Sequence, residues 1–525
     1  MSKAQPNILF IMADQLRADY LGCTGHPAIR TPNIDGIAAR GVNFSRAYVQ
    51  APVCGGSRMS FYTGRYAFSH GAYYNNYPLR IDECTIGDYL RPLGYCVALA
   101  GKTHVKHDRA TFERLGVDAD EGAGLLARQG GFEPWERDDG LQPAPAFDPD
   151  ATYNRYLWDL GYNAENPWQD IANSAEGPDG EVLSGWLMRN ARLPARVKAE
   201  HSETAFMTDR AMAFIEDVGD DPWCLHLSYI KPHWPYIAPD PWHAMYDAND
   251  VSPANRDDAE RVEPNPVYAA FMNHPESQCF AREDVRRTVI PTYMGLITEI
   301  DHHVGRLVDF LRTKGLAEDT IVVVTSDHGD YLGDHWLGEK DLFHEESVRI
   351  PLIVADPRST ADATRGTIDD TLVEAIDLAA SFLDIAGGEP APHRLEGRSL
   401  MPLLGGERSG DWRDAVFCDS CFAMREARLD LGLEPQDARG YMVRTRDWKY
   451  VLFEKNPPML FDLTTDPHEL NDLGRDPGHD RVRADMHERL FDWTRHRRLR
   501  TTIPDDVIAA NTGRAHERGY LFGVW

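Results

Sequence analysis

Residues 8–15, ILFIMADQ, decide the fold. Six apolar residues without polar alternation end in Asp14 and Gln15, which is typical of a strand that is buried on both faces and carries polar side chains at its end. The same pattern recurs further along the chain. These runs are VALA (97–100) before Gly101, Lys102, Thr103 and His104; CLHLSYI (224–230) before Lys231, Pro232 and His233; and IVVVT (321–325) before Ser326, Asp327 and His328.

Helical patterns lie between these runs. In TYMGLITEIDHHVGRLVDFLRTKGL (292–316) the apolar positions follow a 3.6-residue period and Gly315 ends the pattern, while His302 and His303 are interpreted as structural or exposed. Alternating strands and helices predict an α/β fold in which a large, mainly parallel sheet is sandwiched by helices. Because ligands of such sheets bind beyond the carboxyl ends of the strands, we expect the polar groups that follow the four runs to meet in one crevice.

The bulk composition narrows the classes of function. The 525 residues are 42% hydrophobic and carry a formal net charge of −28, so the chain offers no basic stripe for nucleic acid and disfavours an anionic membrane surface. No apolar run approaches the length of about 18 residues that spans a membrane, and the run near the start is too short for a signal peptide. We therefore expect a cytoplasmic protein. The eight cysteines are scattered, and Cys418 and Cys421 in CDSC are interpreted as unrelated thiols.

The polar residues at the predicted strand ends include a set of metal ligands. Asp14 and Asp327 offer hard anionic oxygens, Gln15 offers a neutral oxygen, and His328 offers an imidazole. This set suits one divalent cation, which Ca²⁺, Mn²⁺ or Mg²⁺ would satisfy and for which Zn²⁺ is an alternative. Taken singly, an aspartate after a strand is more often a turn residue or helix cap.

Cations and histidines accompany these ligands. Lys102, Lys340 and Arg58 would hold a tetrahedral oxyanion that touches the metal, and His104 and His233 are candidate proton carriers. A histidine in a loop is more often a packing residue, but several such side chains at converging strand ends favour function. A metal, several cations and two histidines together indicate transfer of a phosphoryl or sulfuryl group.

Residues 53–65, VCGGSRMSFYTGR, place a thiol, two glycines and an arginine before a helix predicted at 59–63. The start of a helix offers free N–H groups and the positive end of the dipole, which favour an anion at Cys54. Arg58 lies one turn along and would orient the group at position 54. The glycines let the backbone approach a ligand closely.

On these residues the chain resembles the type I sulfatase family of the alkaline phosphatase superfamily, close to its arylsulfatase and phosphonate monoester hydrolase branch. The family signature C-x-P-x-R, followed by T-G-R, here reads CGGSR (54–58) and TGR (63–65). Further motifs carry the resemblance through nearly the whole chain: PNILFIMADQ, TPNIDGIAARGVNFSRAY, GYCVALAGKTH, KPHWPY, TSDHGDYLGDHWLGEK, RIPLIV and LFDLTTDPHELNDL. The resemblance implies an alkaline phosphatase-like fold and a metal-dependent hydrolase of small-molecule sulfate esters, with phosphonate or phosphate esters as further substrates.

The resemblance also implies a role for each matching residue. A formylglycine-generating enzyme would oxidise Cys54 to formylglycine, whose hydrated aldehyde is the nucleophile and a metal ligand. Arg58 would steady this group, and His104 would take a proton from the hydrate to expel sulfate. The remaining implied positions are the metal ligands Asp14, Gln15, Asp327 and His328; the contacts to sulfate and leaving group Lys102, His233 and Lys340; and Asn75, which matches a substrate-binding asparagine of the phosphonate monoester hydrolases.

The chain departs from the family pattern at three positions. Gly56 replaces a proline that helps the modifying enzyme recognise its target, Gln15 replaces a second aspartate, and His328 replaces an asparagine of many sulfatases. The histidine matches the phosphonate monoester hydrolase and phosphodiesterase branch, whereas GKTH keeps the Lys-x-His pair of sulfatases. Because this pair touches the reacting group, we favour a sulfatase. The alternatives are a phosphonate monoester or phosphodiester hydrolase on the same site and, if the cysteine stays reduced, a silent metal- and anion-binding homologue.

The organisation of the chain predicts two parts. Residues 1–390 form the catalytic domain, and residues 391–525 form a smaller α+β subdomain with short antiparallel strands, a helix at 480–496 and a tail with exposed aromatics. The tail predicts a homo-oligomer, a dimer or a tetramer. Irregular stretches at 105–200 and 240–283 predict lids and pocket walls. Their aromatic residues form an aryl pocket or simply pack; they are Trp135, Tyr153, Trp158 and Trp168.

Overall fold

A computed structural model describes residues 5–408, 410–514 and 517–518. The aromatic residues of the tail, at which an oligomer contact is predicted, lie outside the described residues. In chain order the strands are β1 (Asn7–Asp14), β2 (Val42–Phe44), β3 (Ala47–Tyr48), β4 (Cys96–Gly101), β5 (Glu133–Arg137), β6 (Ser174–Glu176), β7 (Val182–Ser184), β8 (Trp223–Pro232), β9 (Thr320–Ser326), β10 (Arg349–Ile350), β11 (Leu352–Ala355), β12 (Thr367–Asp369), β13 (Val373–Glu374), β14 (Ala415–Cys421), β15 (Arg439–Thr445), β16 (Trp448–Phe453) and β17 (Met459–Asp462).

The largest sheet within the described residues has the strand order β12-β2-β11-β9-β1-β8-β4-β5. Its strands run parallel except at β11, which pairs antiparallel with β9 and with β2. The strands β14 to β17 form an antiparallel sheet in the last quarter of the chain. This arrangement confirms the predicted fold class. The predicted domain boundary near residue 390 stays a prediction.

Helices cover both faces of the large sheet. On one face α2 contacts α13, and on the other α8 and α11 contact each other and β8. The helices are α1 (Pro32–Ala38), α2 (Cys54–Thr63), α3 (Ala67–His70), α4 (Ile86–Leu90), α5 (Arg109–Leu115), α6 (Gly122–Arg128), α7 (Thr152–Asp159), α8 (Glu203–Asp217), α9 (Pro266–Met272), α10 (Pro275–Phe280), α11 (Glu283–Thr313), α12 (Glu345–Val348), α13 (Asp377–Ile385), α14 (Met401–Leu404), α15 (Glu426–Asp430), α16 (Asp480–Arg495) and α17 (Asp505–Asn511).

Strand β1 shows why its sequence lacks polar alternation. Its side chains point alternately to opposite faces, and each face lies against its own hydrophobic core. Phe10 and Met12 belong to the core beneath α2 and α13, whereas Leu9 and Ile11 belong to the core beneath α8 and α11. Every residue of β1 is buried. A strand buried on both faces has no place for polar residues before its end.

The register of the parallel strands brings the predicted polar residues to one edge. Ala13 of β1 pairs with Ser326 of β9, so the next residues, Asp14 and Asp327, leave the sheet side by side. Gly101 of β4 pairs with Ser228 of β8, and Lys102 follows at the same edge. The predicted convergence of the strand ends is therefore confirmed.

Some predicted elements have different bounds. Helix α11 begins at Glu283, nine residues before the predicted start, because it takes Pro291 into its interior. Helix α2 begins at Cys54 itself. Of the two histidines on α11, His302 is exposed and His303 is buried with its Nδ1 3.0 Å from Arg306 Nη1, which agrees with the expectation that they are structural or exposed.

The aromatic residues offered for an aryl pocket make packing contacts within the fold; the partly buried Trp158 donates through Nε1 to the carbonyl of Ala164. Tyr153 and Trp168 are fully buried, and Trp168 Nε1 donates a hydrogen bond to Glu203. Trp135 packs edge-on against Phe214. Plain packing, the other interpretation of these residues, therefore holds for them. The two CDSC cysteines are free thiols within β14.

Candidate active site

The thiol of Cys54 lies at the first turn of α2 and is buried, with an exposed fraction of 1%. Its Sγ lies 3.0 Å from His328 Nε2 and 3.7 Å from Asp14 Oδ1. The next backbone N–H, that of Gly55, donates to Asn75 Oδ1 at 2.7 Å. The start of the helix therefore presents its positive end to the thiol, while Asn75 lies directly beside it.

Four potential metal-ligating side chains surround one point. Asp14, Cys54, Asp327 and His328 each offer a ligand atom, these atoms lie within 4.8 Å of one another, and all four residues are buried. His328 Nδ1 donates to the carbonyl of Gly329 at 2.8 Å, which leaves Nε2 facing the cluster. Although burial opposes it, the charges of Asp327 and Cys54 raise the pKa of His328 to about 9. The cluster attracts positive charge, and its donor set fits a divalent cation.

Arg58 ties the two carboxylates of the cluster together. Its Nε donates to Asp327 Oδ2 at 2.8 Å and its Nη2 donates to Asp14 Oδ2 at 3.2 Å. The remaining nitrogen, Nη1, donates to Ser228 Oγ at 2.7 Å and to the carbonyl of Lys102 at 2.9 Å. A guanidinium with partners on every side has one possible orientation, so it fixes the carboxylates as well.

Two buried lysines approach the thiol. Lys102 Nζ lies 2.5 Å from Asp14 Oδ2. Lys340 is presented by a loop whose neighbouring residues Glu339 and Asp341 both have positive φ, of 59° and 83°, a sparsely populated backbone conformation found at functional sites. Burial would raise the pKa of Cys54, but the charges of Lys340, Lys102 and His328 outweigh it and hold that pKa well below its usual range. The pocket therefore stabilises an anion at position 54.

His233 and Gln15 lie on the side of Lys340. Lys340 Nζ donates to His233 Nε2 at 3.1 Å and to Gln15 Oε1 at 2.8 Å. His233 Nδ1 donates to the carbonyl of Trp234 at 2.8 Å, so the ring is held in the tautomer whose Nε2 accepts. Burial and the charge of Lys340 lower the pKa of His233 to about 4. The imidazole is therefore neutral near pH 7.

The amide of Gln15 is fixed from its other end as well. Gln15 Nε2 donates to Asp330 Oδ2 at 2.5 Å, and Tyr236 donates to the same oxygen at 2.6 Å. The backbone N–H of Gln15 donates to Asp327 Oδ1 at 3.0 Å. Gln15 thus lies beside the metal-ligand cluster, with its side-chain oxygen turned to Lys340.

His104 follows β4 in the chain, two residues after Lys102. It has a positive φ of 57°, and its backbone N–H donates to Asp139 Oδ1 at 3.1 Å. A hydrogen bond from His104 contributes to the lowered pKa of Cys54. Its Nδ1 is buried and has no hydrogen-bond partner among the described residues. This Nδ1 is therefore available to accept a proton.

Local packing explains why position 56 is a glycine. A Cβ atom at this position would lie 2.8 Å from the carbonyl oxygen of Tyr73 and 2.8 Å from Ala51 Cβ. Both distances are shorter than those that folded proteins tolerate. The loop that carries Asn75 therefore packs so closely on α2 that neither alanine nor proline fits at position 56 without a shift.

All the predicted site residues therefore lie around Cys54, and sequence reasoning missed those that hold them. Ser228 receives Arg58, Asp330 and Tyr236 hold Gln15, and Asp139 holds the backbone of His104. Of these residues, only Asp330 could have been found from the sequence, because it stands in the TSDHGD motif close to the predicted ligands Asp327 and His328.

Comparisons with known proteins show the family to which the chain belongs. A sulfatase family model matches residues 6–388, and a model of the C-terminal region of N-sulphoglucosamine sulphohydrolase matches residues 333–496. The multifunctional alkaline phosphatase superfamily protein PehA of Trinickia caryophylli is 32% identical over 93% of this chain and 95% of its own. The arylsulfatase of Clostridium perfringens is 28% identical over 89% and 90% of the two chains.

Solved structures show the same relationship. The phosphonate monoester hydrolase from Silicibacter pomeroyi superposes with a TM-score of 0.80 at 30% identity, over 95% of this chain and 96% of that one. The phosphonate monoester hydrolase of Agrobacterium radiobacter gives a TM-score of 0.80 at 27% identity, over 95% and 97%. The chain therefore belongs to the sulfatase family of sulfuric ester hydrolases, within the alkaline phosphatase superfamily. Among the described residues, none of the helices has the length and apolar character needed to span a bilayer.

Proposed function

We propose that the chain hydrolyses sulfate monoesters of the aryl type through a formylglycine derived from Cys54. The observation that carries this proposal is the position of the thiol at the start of α2. It lies 3.0 Å from His328 Nε2 in a pocket whose cations favour an anion there. A nucleophile at that point would face a sulfuryl group bound at the edge of the sheet.

One divalent cation is part of the proposal. Asp14, Asp327 and His328 would hold it together with position 54, and Gln15 would join them only if its Oε1, which accepts from Lys340, turned towards the ion. The ion would supply Lewis-acid polarisation of the sulfuryl oxygens and activation of the nucleophile. Arg58 keeps both carboxylates in place through its two ion pairs.

The surrounding side chains bind the sulfuryl group, assist the leaving group and transfer the proton. Lys102 and Lys340 bind the oxygens of the sulfuryl group, and both stay protonated because their carboxylate neighbours and Cys54 raise their pKa values. His233 is neutral and accepts a hydrogen bond from Lys340, so it orients that ammonium group towards the departing oxygen. His104 serves as the general base of the second half-reaction, because its side chain hydrogen-bonds towards Cys54 and its Nδ1 has no partner among the described residues.

A second candidate substrate class is phosphonate monoesters and phosphodiesters on the same site. Asn75 supports it, since its Oδ1 accepts from Gly55 and its amide N–H₂ group is left to donate to a substrate oxygen. Two phosphonate monoester hydrolases have the same fold with TM-scores of 0.80. Against this class, Lys102 and His104 form the Lys-x-His pair of sulfatases. We therefore place sulfate esters first.

The remaining predictions concern a third possible function, the modifying enzyme, the assembly and the location. A silent homologue that only binds metal and anions is less well supported, because binding alone does not require the free imidazole of His104. A formylglycine-generating enzyme is the partner that the proposed chemistry requires. A homo-oligomer and a cytoplasmic location stay predictions.

The test is a comparison of two ester classes on the purified, metal-replete enzyme. We expect a higher kcat/KM for 4-nitrophenyl sulfate than for a 4-nitrophenyl phosphonate monoester, and no turnover of either by the Cys54→Ala variant. A higher value for the phosphonate would reverse the order of the two classes. Absence of turnover of both esters by the wild-type enzyme would overturn the proposed function.

A further inference from the structure

A groove of about 610 Å³ lies between the segment 186–189 and the helices α10 and α11. Its volume falls in the range of about 300–1,000 Å³ that is typical of small-molecule sites. Trp186 and Leu187 line it with exposed fractions of 36% and 46%, and Met188, Pro275 and Val285 extend the apolar wall. A group of large apolar side chains exposed together at the surface often marks a ligand-binding groove.

Ring contacts join one wall of the groove to the candidate active site. The ring of Trp186 lies 5.5 Å from that of Trp234, whose ring lies 4.2 Å from that of His233. Lys340 Nζ, which donates to His233, lies 5.8 Å from the centre of the Trp234 ring. A continuous row of aromatic rings therefore connects the groove with the ammonium group of Lys340.

The other wall is tied to the same loop. Glu276 of α10 forms an ion pair of 2.7 Å with Arg425, which lies 3.3 Å from Asp341. Asp341 directly follows Lys340 in the chain, and Gly338 packs against the carbonyl of Glu276. Both walls of the groove are thus fixed to the loop that presents Lys340.

We propose that this groove receives the apolar, aromatic part of the leaving group and that Trp186 and Trp234 determine the preference for it. The proposal rests on the proposed function, because it takes the departing oxygen to lie at Lys340. From that oxygen the carbon skeleton of the leaving group passes over Trp234 and stacks against Trp186. Trp234 Nε1 is buried without a hydrogen-bond partner among the described residues, so it can donate to a polar substituent of the ring.

The groove also defines the size of the substrate. A single phenyl ring reaches Trp234, whereas a leaving group of two linked rings reaches Trp186. The proposal therefore assigns extended aromatic alcohols, larger than a simple phenol, as the class of leaving group that the enzyme favours.

The first test uses two aryl esters whose phenols have matched acidity, one with a single ring and one with two linked rings. Both compounds are esters of the same acid, sulfuric or phosphonic, and the acid is chosen as the one whose esters the wild-type enzyme hydrolyses. Trp186→Ala is expected to lower kcat/KM by about tenfold for the two-ring ester and by less than about twofold for the single-ring ester. The matched control is Phe491→Ala, which removes another exposed aromatic side chain on α16, and it should leave both values unchanged.

A second test leaves the folded enzyme unmutated. Cys279 lines the groove and is the exposed cysteine of the chain, so a bulky maleimide should reach it first. The labelled enzyme is expected to lose activity on the two-ring ester and to keep it on the single-ring ester, while Cys279→Ala treated in the same way keeps both. This result would support the groove even if Trp186→Ala failed to fold.

The outcomes separate the two proposals. Wild-type enzyme that hydrolyses neither ester class overturns the proposed function and the groove assignment with it. Wild-type activity that Trp186→Ala and the label lower equally for both ring sizes, or leave unchanged for both, overturns the groove assignment alone.

Discussion

Arg58 and Asp327 form an ion pair with no solvent exposure, in which 2.8 Å separates Nε from Oδ2. The same guanidinium reaches Asp14 at 3.2 Å, so one side chain from α2 fixes the carboxylates that end two neighbouring strands. A buried charge without a partner is costly, and this pairing makes helix, strands and metal ligands depend on one another. The position of Cys54, four residues before Arg58 on the same helix, is set by the same contact.

Asp327→Asn should lower metal content and activity together. A neutral amide is a poorer ligand for a hard cation than a carboxylate, and the change also removes the partner of Arg58. Elemental analysis and turnover on the same preparation provide the measurement. Asp82→Asn is the matched control, because Asp82 is exposed and far from the cluster in the chain. Full metal occupancy with unchanged rates would show that Asp327 is not a ligand.

His104→Ala should slow the second half-reaction more than the first. The imidazole is proposed to take the proton that allows sulfate to depart, so its loss leaves release of the phenol comparatively fast. Pre-steady-state measurement should show a burst of phenol followed by a slow steady rate. His302→Ala, on the exposed face of α11, is the control. A uniform fall in rate without a burst would indicate that His104 binds substrate or protonates the leaving group.

Gly56→Ala should lower stability. Its Cβ would meet the carbonyl of Tyr73 and the side chain of Ala51, both at 2.8 Å, and such overpacking costs about 1–3 kcal/mol. The control is Gly36→Ala in α1, where a Cβ has nothing within 4 Å and the gain in helix propensity is about 0.5–1 kcal/mol. Thermal unfolding midpoints should therefore move in opposite directions. An unchanged midpoint for Gly56→Ala would mean that the loop at Tyr73 yields freely.

Glu299 makes stability depend on pH. It is buried to an exposed fraction of 1%, and burial raises its pKa from 4.5 to about 7. Because the folded state holds this proton more tightly than the unfolded state, the free energy of unfolding falls as pH rises through that window. Glu299→Gln cannot titrate and should lose less stability, by up to about 3 kcal/mol, between about pH 5 and pH 8. A difference in unfolding midpoint that stays constant with pH would contradict the raised pKa.

The sequence predicted the parts of the fold that local pattern controls. Strands β1, β4, β8 and β9 were visible because a strand buried on both faces must be apolar throughout. The ends of β1 and β9 were visible because the apolar runs change abruptly to polar residues at Asp14 and near Asp327. The placement of these ends at one edge then follows from parallel pairing.

The residues that hold the site in place could not be predicted in this way. Asp330 accepts hydrogen bonds from both Gln15 and Tyr236, and Asp330 and Tyr236 lie 94 residues apart in the sequence. Asp139, which fixes the backbone of His104, stands in an irregular stretch without periodicity. Such contacts depend on how loops pack over the sheet, and no local spacing encodes them. The start of α11 was missed because a proline usually marks a helix boundary, whereas Pro291 lies inside.

The central claim is that the group at position 54 is a formylglycine, and the mass of the tryptic peptide 47–58, AYVQAPVCGGSR, tests it most directly. The account predicts the aldehyde mass in active preparations, with kcat proportional to the converted fraction across preparations. Cys54→Ala should keep most of its metal content, because Asp14, Asp327 and His328 remain, and should have less than about a tenth of the wild-type kcat, a loss above about 1.4 kcal/mol in transition-state stabilisation. Fully active enzyme whose peptide carries only the unmodified thiol would contradict the account.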